Sequence, residues 1–411
     1  MSGNMERDLE GERLTAIDLF CGAGGITEGF RQAGFHCLYA NDIDESATAT
    51  FAHNHPRTRL ECAPIEQVDA RAVRVSLGLE PGQLAVLAGG PPCQGFSINA
   101  PERFLDDPRN ALFRHYVRFL DEFRPRCFLF ENVPGLLSLG RGAILTQILE
   151  EFKRHGYEVA ARILFAAHYG VPQERWRLIL LGSNCGALPA HPLPTHYAVR
   201  RANFRGGRTM TFRLDDDDRN RLLPHVTVED ALGDLPVLTM GEGGEEIQYD
   251  RPAHSDFARM MRNGGNGTFN HYAAKLSAQN AARLRHIPPG GSWRDIPFAL
   301  LPKGMQRARR SDHTRRYGRL EPTGLAGTIM TKCDPHWGPV FLPDQARTLT
   351  VREAARIQSF PDWYRFIGSR VSQYEQVGNA VPVLLAKAVA GSILSALAAQ
   401  THACESTRNG T

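Results

Sequence analysis

Asp18-Leu19-Phe20-Cys21-Gly22-Ala23-Gly24-Gly25 joins an apolar run at residues 15–20 to a segment with helical periodicity at residues 26–33. Glycines at such a junction supply a tight turn and let the backbone approach a ligand closely. The run lacks the G-x-G-x-x-G spacing of a dinucleotide fingerprint, so it does not require a bound pyrophosphate. The stretch predicts a strand, a glycine turn and a helix.

Apolar runs and helical segments alternate through the rest of the first half of the chain. Further strand-like runs lie at residues 37–41, 84–88, 126–130, 159–165 and 177–182, and further helical segments lie at 45–53, 111–123 and 144–155. This alternation predicts an α/β fold, with a doubly wound, mostly parallel sheet that helices cover on both faces. Ligand sites in that architecture lie beyond the carboxyl ends of the strands.

The composition is that of a globular, water-soluble protein. The chain has 411 residues, of which 42% are hydrophobic and 22% are charged. Its first residues are polar, and we find no apolar stretch of the length that a signal peptide or a membrane span needs. The eight cysteines are scattered without a C-x-x-C pair, which argues against a metal site or a disulfide framework and favours the reducing cytoplasm.

The character of the sequence changes near residue 184, where proline, glycine, histidine and arginine become frequent and periodicity is lost. A strongly apolar helical pattern returns at residues 381–399, and such a helix needs a large core to bury it. We therefore predict five parts: a flexible N-terminus at 1–13, a first domain at 14–183, a smaller irregular domain at 184–345, a C-terminal segment at 346–400 that returns to the first domain, and a flexible tail at 401–411.

The second predicted strand ends in Asn41-Asp42-Ile43-Asp44, about 20 residues beyond the glycines. An acid in that position commonly accepts hydrogen bonds from the hydroxyl groups of a ribose. Together with the glycine turn, it indicates a cofactor that contains a nucleoside. A plain tight turn with solvated acids is the alternative.

A second candidate site is centred on Cys93, which lies in a proline-stiffened loop after an apolar strand. Glu131 ends the next predicted strand, where partial burial would raise the pKa of its carboxyl group. Arg175 and Arg177 are two residues apart, so they share one face of an extended segment. An inert core thiol and structural ion pairs are the alternatives.

Residues 281–320 carry ten lysines and arginines but only two acids. Arg307 and Arg310 belong to the densest part of this basic run. A phosphate-binding surface and a solvated basic face both fit such a pattern.

Six pieces of the sequence resemble, in order, the motifs of the DNA (cytosine-5)-methyltransferases of the prokaryotic restriction–modification type. The resemblance covers about residues 14–183 and 345–400. The pieces are 18–25 with Gly29-Phe30, PPCQGFS at 91–97, ENV at 131–133, QERWR at 173–177, RTLTVREAARIQ at 347–358 and QVGNAVP at 376–382.

The resemblance implies a Rossmann-like methyltransferase domain that uses S-adenosylmethionine. Cys93 would add to carbon 6 of the target cytosine, and Glu131 would hydrogen-bond its amino group and N3. Arg177 would steady the base and Arg175 would position the site. The implied cofactor-binding residues are Asp18, Phe20, Gly22, Gly24, Gly25, Asp42, Ile43, Pro92 and Asn379.

The resemblance also makes residues 184–345 a target-recognition domain for double-stranded DNA, with the cytosine flipped out of the helix. Gln94 and Ser97 would lie near the vacated space, Thr328 near the flipped base, and Arg307 and Arg310 on phosphates. We expect a monomer in the cytoplasm, associated with the nucleoid through its DNA, and a cognate restriction endonuclease that acts on the same sequence.

The sequence departs from the family at Pro64, where an acid commonly binds the adenine amine. Weaker cofactor binding is the expected result. Two other functions stay open: methylation of tRNA, whose enzymes carry a Cys-Phe-Thr signature where this chain has Leu136-Leu137-Ser138, and a catalytically silent DNA-binding protein. The silent protein is disfavoured because Cys93 and Glu131 are both present.

Overall fold

A computed structural model of the protein describes residues 14–92, 111–200, 202, 204, 209–312 and 315–408. Its central feature is a seven-stranded sheet in the order β3-β2-β1-β4-β5-β7-β6. The strands are β1 Thr15–Leu19, β2 His36–Asp42, β3 Arg59–Cys62, β4 Val86–Gly89, β5 Cys127–Asn132, β6 Glu158–Phe165 and β7 Trp176–Ser183.

Helices cover both faces of this sheet, because successive strand side chains alternate between two cores. The first core contains Ala16, Val86 and Leu181 with residues of the C-terminal helix, and the second contains Leu19, Phe128 and side chains of the fourth and fifth helices. The helices of this half are α1 Gly25–Gln32, α2 Glu45–Asn54, α3 Ala70–Ser76, α4 Ala111–Phe123 and α5 Ala143–Arg154.

The predicted α/β sheet is confirmed, and the sequence pattern located six of its seven strands. It missed β3, a four-residue edge strand (RLEC) with no buried residue, and α3, a helix of two turns. β5 pairs antiparallel with β7, with Glu131 opposite Ile179, and β7 pairs antiparallel with β6. Because β7 runs backwards, its first residues lie at the same edge as the carboxyl ends of β4 and β5.

Residues 184–345 form short elements around a small core that contains Trp293, Met305 and Tyr317. The strands are β8 His196–Tyr197, β9 Leu223–Pro224, β10 Gly243–Gln248, β11 Gly267–Tyr272, β12 Gly318–Arg319 and β13 Pro339–Phe341. The helices are α6 Asp216–Arg221, α7 Val228–Leu232, α8 Asp256–Arg262 and α9 Ala278–Leu284. Side chains of α7 and α8 share the first core, which also contains residues of the C-terminal segment. The domain boundaries at 183 and 345 stay a prediction.

Buried ion pairs join the irregular region to α10 Val351–Ile357. The guanidinium of Arg356 pairs with Asp234 and, at 2.5 Å, with Asp362, and all three side chains are at most 1% exposed. Arg347 pairs with Glu353 at 2.7 Å. Removing one partner from such a pair leaves an uncompensated buried charge and costs about 3–5 kcal/mol.

The chain ends in α11 Arg370–Asn379 and α12 Val383–Arg408, and α12 packs lengthwise on α1. Residues 370–400 are long and apolar enough to cross a membrane by length and composition alone, and half of their most apolar window is buried inside the protein. The expectation that no stretch reaches this length was therefore wrong. The many alanine, glycine and serine residues of α12 interrupt its run of large apolar side chains without adding charge.

Gly29 lets α1 and α12 approach each other closely. A Cβ at this position would lie 2.5 Å from the Ala386 Cβ and 2.7 Å from the Val383 carbonyl oxygen. Gly391, within α12, has no atom within 4 Å of the corresponding point. Both glycines lie within helices, but the space for a side chain is occupied at Gly29 and empty at Gly391, so Gly391 is a matched control for Gly29.

We predict that Gly29→Ala lowers the free energy of unfolding by about 1–3 kcal/mol, because the overpacked interface outweighs the better helix propensity of alanine. Gly391→Ala should instead raise it by up to about 1 kcal/mol. Chemical denaturation of both variants measures the difference, and a Gly29→Ala protein as stable as the wild type would contradict the prediction.

Candidate functional site

A cavity of about 820 Å³ opens at the carboxyl edge of the central sheet. Its walls come from the loops that follow β1 to β5, from the first residues of β7 and from the end of α11. This is the place where a doubly wound sheet binds its ligands. Of the residues predicted for the site and described by the structure, those that line the cavity are Phe20, Gly22, Gly25, Asp42, Ile43, Pro92, Glu131, Arg175, Arg177 and Asn379.

The carboxylate of Asp42 ties the first two loops of the cavity together. Its Oδ2 accepts a hydrogen bond of 2.7 Å from the Gly22 N–H, and its Oδ1 accepts one of 3.0 Å from the Asp44 N–H. Burial raises the pKa of this carboxyl group. Each oxygen still has a lone pair for a second donor, so the group can also accept hydrogen bonds from a ligand.

Two apolar side chains flank this carboxylate. Phe20 has a φ of +59°, a left-handed conformation that is rare for an aromatic residue and is typical of sites where the surrounding structure imposes it. Ile43 is 65% exposed although it is apolar. Both therefore contribute apolar surface to the cavity wall.

Asp18 and Gly24 do not line the cavity. Gly24 has a φ of +89°, and a Cβ there would lie 2.7 Å from the Tyr364 hydroxyl oxygen, so its absent side chain makes room for the C-terminal segment. Asp18 is 2% exposed and accepts a hydrogen bond of 2.7 Å from the Thr27 hydroxyl. Burial raises the pKa of Asp18 to about 7. The glycine pattern in the sequence did not distinguish these two positions from those that line the cavity.

Cys93, Gln94 and Ser97 lie outside the described residues, so their predicted roles stay predictions. The loop that carries them begins at Pro91 and Pro92, which line the cavity. The Asn132 side-chain amide, at the end of β5, donates a hydrogen bond of 3.1 Å to the Pro91 carbonyl oxygen. This bond ties Pro91, two residues before Cys93 in the sequence, to the end of β5.

Glu131 and Arg177 form a buried ion pair at one end of the cavity. The Arg177 Nε lies 2.6 Å from the Glu131 Oε1, and the two side chains are 11% and 12% exposed. Burial raises the pKa of Glu131, and the charges of Arg177 and Arg175 only partly oppose it. Gly90 leaves space for this carboxylate, since a Cβ there would lie 2.8 Å from Oε2. The result is a carboxyl group that binds a proton more readily than usual and faces the cavity.

Arg175 holds two distant segments against the cavity. Its guanidinium donates to the Ile329 carbonyl oxygen at 3.1 Å, to that of Gly378 at 2.7 Å and to that of Ala380 at 3.2 Å. The side chain is 2% exposed. With its donors directed at backbone oxygens, this arginine is suited to positioning the site.

Thr328 lies beside this wall and does not line the cavity. Its hydroxyl donates a hydrogen bond of 2.6 Å to the Glu174 carbonyl oxygen. Arg307 and Arg310 are exposed and also lie outside the cavity lining. The basic run instead reaches the site through Arg315, which forms an ion pair with Glu174, the neighbour of Arg175.

Sequence reasoning named none of Asn132, Gly90 and Arg315 as a site residue, although each contributes to the site. Asn132 lies in the ENV motif next to Glu131, which is the one signal that could have identified it. The roles of Gly90 and Arg315 depend on contacts across 41 and 141 residues of sequence, which no local pattern reveals.

Comparisons with known proteins agree with one another. The model of the family described as C-5 cytosine-specific DNA methylase matches residues 14–395. The chain is 35% identical to the Type II methyltransferase M.AgeI of Thalassovita gelatinovora, over 93% of this chain and 100% of that protein. It is 34% identical to the Type II methyltransferase M.XorII of Xanthomonas oryzae pv. oryzae, over 94% and 85%.

Solved structures share the fold. A putative DNA modification methyltransferase encoded within an E. coli prophage is similar with a TM-score of 0.69, at 24% identity over 93% of this chain and 99% of that one. A mutant of Spodoptera frugiperda DNMT2 is similar with a TM-score of 0.56, at 17% identity over 93% and 99%.

The buried Asp18 carboxyl should make folding stability depend on pH. Its folded pKa of about 7 exceeds the unfolded value of about 3.9, so the folded state binds more protons between these values. Stability should therefore fall as pH rises from about 4 to about 7 and stay level above that range. Asp18→Asn removes the buried charge, and we expect it to be more stable than the wild type by about 2–4 kcal/mol at pH 8, with little difference near pH 4.

Chemical denaturation at the two pH values measures this difference. The exposed Asp344→Asn substitution is the control, because it removes a carboxylate that folding does not bury. An Asp18→Asn protein that differs from the wild type equally at both pH values would show that the carboxyl group is not the cause.

Proposed function

Because the chain belongs to the C-5 cytosine-specific DNA methylase family, we propose that it transfers a methyl group from S-adenosylmethionine to carbon 5 of a flipped-out cytosine in a specific double-stranded DNA sequence. Membership makes the protein a DNA (cytosine-5)-methyltransferase. A covalent bond between Cys93 and the base carries the reaction in this proposal. Its main support is one cavity with the Glu131–Arg177 pair at one end and Phe20 and Asp42 among its other walls.

The cavity fits S-adenosylmethionine in size and in the kind of groups that line it. At about 820 Å³ it falls within the range of small-molecule sites. Phe20 and Ile43 would cover the adenine, and Asp42 would accept hydrogen bonds from the ribose hydroxyls. Gly22 and Asn379 would line the methionine end. When bound, S-adenosylmethionine supplies an electrophilic methyl group on a positively charged sulfonium.

The charge of the lining suits that sulfonium. Among the described residues, five acids and two bases line the cavity, and both of these bases are already engaged, Arg177 by Glu131 and Arg175 by backbone oxygens. The surplus of negative charge favours a cationic ligand. The acids are Asp42, Asp44, Glu66, Glu131 and Glu375.

Cys93 is the proposed nucleophile, and only its thiolate form attacks. As the sulfur bonds to carbon 6, the electron pair of the 5,6 double bond makes carbon 5 nucleophilic. Glu131 hydrogen-bonds the base at N3 and gives up a proton there, so negative charge does not build up on the ring. The raised pKa of the Glu131 carboxyl supports this role. Arg177 holds the carboxylate in place and stabilises the charge left on it.

The second half of the reaction restores Cys93. Once carbon 5 carries the methyl group, a base removes the remaining hydrogen of carbon 5 as a proton. The electron pair of that C–H bond re-forms the double bond and expels the Cys93 thiolate, and the N3 proton returns to Glu131. The products are 5-methylcytosine, S-adenosylhomocysteine and free enzyme, with one proton released.

A base stacked inside a duplex cannot reach this cavity, so the cytosine must leave the helix at a cost of a few kcal/mol. Gln94 and Ser97 are proposed to fill the vacated space, and Thr328 to lie near the flipped base. Arg307 and Arg310 are exposed, as phosphate contacts require. The monomeric state, the cytoplasmic location and a cognate endonuclease stay predictions.

We predict that Cys93→Ser lowers methyl transfer by roughly 10³-fold or more, because a serine hydroxyl is far less acidic than a thiol and ionises too rarely to attack. Labelled S-adenosylmethionine with duplex DNA measures the transfer, and a gel-shift assay checks that DNA binding persists. Cys62→Ser is the control, since Cys62 is exposed and lies outside the cavity lining.

Three results would contradict the proposed function. Full activity of Cys93→Ser would rule out the covalent step. Methylation of tRNA in preference to duplex DNA, in the same assay, would replace the proposed substrate. A wild type that binds DNA but transfers no label would support the silent DNA-binding alternative.

Pro64 lines the cavity in the loop after β3, where the family commonly has an acid. Its φ of −56° and ψ of 130° are accessible to aspartate. We predict that Pro64→Asp binds S-adenosylmethionine more tightly, by roughly 5- to 20-fold, because a carboxylate can accept a hydrogen bond from the adenine amine. Isothermal titration measures this, with Pro64→Asn as an uncharged control. An unchanged dissociation constant would remove the idea that the proline weakens binding.

A further inference from the structure

We propose that Arg316, held in place by His336 and Trp337, reads a guanine of the recognised DNA sequence and so determines specificity. This inference rests on the proposed function, since it requires a duplex bound across the mouth of the cavity. We call Arg316, His336 and Trp337, with Met330, the rim cluster. Four observations support its role: its position, its exposed apolar surface, the positive charge beside it and the way its arginine is held.

The rim cluster borders the cavity. A Cβ on Gly378, which lines the cavity, would lie 2.5 Å from the Met330 carbonyl oxygen. The Ile329 N–H, one residue earlier, donates a hydrogen bond of 3.0 Å to the Gln173 side chain, two residues before Arg175. The segment at Met330 is therefore fixed to the cavity wall from two sides.

The rim cluster exposes large apolar side chains beside the cavity wall. Trp337 is 58% exposed and Met330 is 48% exposed. Met330 packs beside the residue that follows Trp337, because a Cβ on Gly338 would lie 3.7 Å from the Met330 Cγ. Single exposed apolar residues are common, whereas a tryptophan and a methionine together beside a cavity mark a binding surface.

Positive charge occupies the same rim. Arg315 and Arg200 both pair with Glu174, and the Arg200 Nε lies 3.2 Å from its carboxylate. Two arginines on one acid leave a net positive charge there, and the Arg315 and Arg200 side chains are 42% and 50% exposed. This charge complements the phosphates of a duplex.

Arg316 differs from these arginines in how it is held. Its guanidinium carbon lies 5.1 Å from the centre of the Trp337 ring, and its Nη1 lies 3.1 Å from the His336 Nε2. The His336 ring packs edge-on against Trp337, at 5.2 Å, and against the buried Tyr317, at 5.9 Å. Among the described residues, no carboxylate lies within 4.0 Å of Arg316. Its charge is oriented and uncompensated.

This arrangement fits a base edge better than a phosphate. A phosphate contact needs only a nearby positive charge, which flexible exposed arginines supply. Reading guanine needs two N–H groups in one plane, directed at O6 and N7. With Nη1 directed at His336, Nε and Nη2 are the donors left for a ligand. Because the Arg316 guanidinium already packs on Trp337 before DNA binds, it loses less conformational entropy on binding a base.

The experiment uses the full-length protein, S-adenosylmethionine and a library of duplexes with random sequence, followed by bisulfite sequencing of the products. The wild type defines the methylated sequence. For Arg316→Ala we expect methylation of that sequence to fall by roughly 10- to 100-fold. Preference for guanine at one position should be lost, while the preferences at the other positions stay.

Arg316→Lys separates the two kinds of contact, because lysine keeps the charge but not the planar pair of donors. We expect it to lose the same guanine preference. The control is Arg154→Ala, whose exposed side chain lies on α5 and pairs with Glu151, and it should keep both the rate and the sequence preference. Thermal unfolding checks that each variant is folded.

Each other outcome is informative. A folded Arg316→Ala protein with the wild-type sequence preference would overturn the inference. So would normal specificity in Arg316→Lys, since this would assign Arg316 to a phosphate. If the wild type methylates no duplex at all, the proposed function fails first, and the inference fails with it.

Discussion

Close backbone contact between α1 and the C-terminal segment is the constraint on which the cavity depends. At Gly25 any side chain would collide with the Val381 carbonyl oxygen, and at Gly29 it would collide with α12. Because both positions lack a side chain, residues 379–381 come to lie against the glycine turn after β1 and complete the cavity. Arg175 then fixes this segment by its hydrogen bonds to two of its carbonyl oxygens. A site assembled from both ends of the chain can form only once these helices have packed.

The direction of β7 determines the chemistry at the end of the cavity where Glu131 and Arg177 lie. If β7 ran parallel to β5, its first residues would lie at the opposite edge of the sheet. Running antiparallel, it places Arg177 against Glu131 in a desolvated pair. Burial raises the pKa of the carboxyl group, while the arginine keeps it in place and limits that shift. A carboxyl group in this state can exchange a proton with a bound base, which a solvated glutamate at the same position would do less readily.

Much of this architecture could be predicted from the sequence, since the strands that the sheet buries are continuous apolar runs. The edge strand β3 was missed because nothing buries it, and the short elements of residues 184–345 because tertiary contacts around Trp293 and Tyr317 stabilise them. Within the site, the motifs located Glu131 and Arg177. The motifs also included Asp18, whose side chain is buried, and Gly24, where a side chain would point into the protein. A glycine pattern does not state which residues of the turn face the cavity.

The irregular region could serve recognition only if its orientation towards the cavity were fixed. Short strands and loops would not achieve this alone, because they bury little surface. The buried pairs of Arg356 with Asp234 and Asp362 supply a fixed connection, since they link the segment after α7 to the C-terminal segment through side chains that are at most 1% exposed. An ion pair desolvated to this degree contributes little net stability, yet any relative shift of the two segments would leave a charge buried without a partner. The cost of misalignment, more than the strength of the pairs, is what keeps the segment at Asp234 in register with α10.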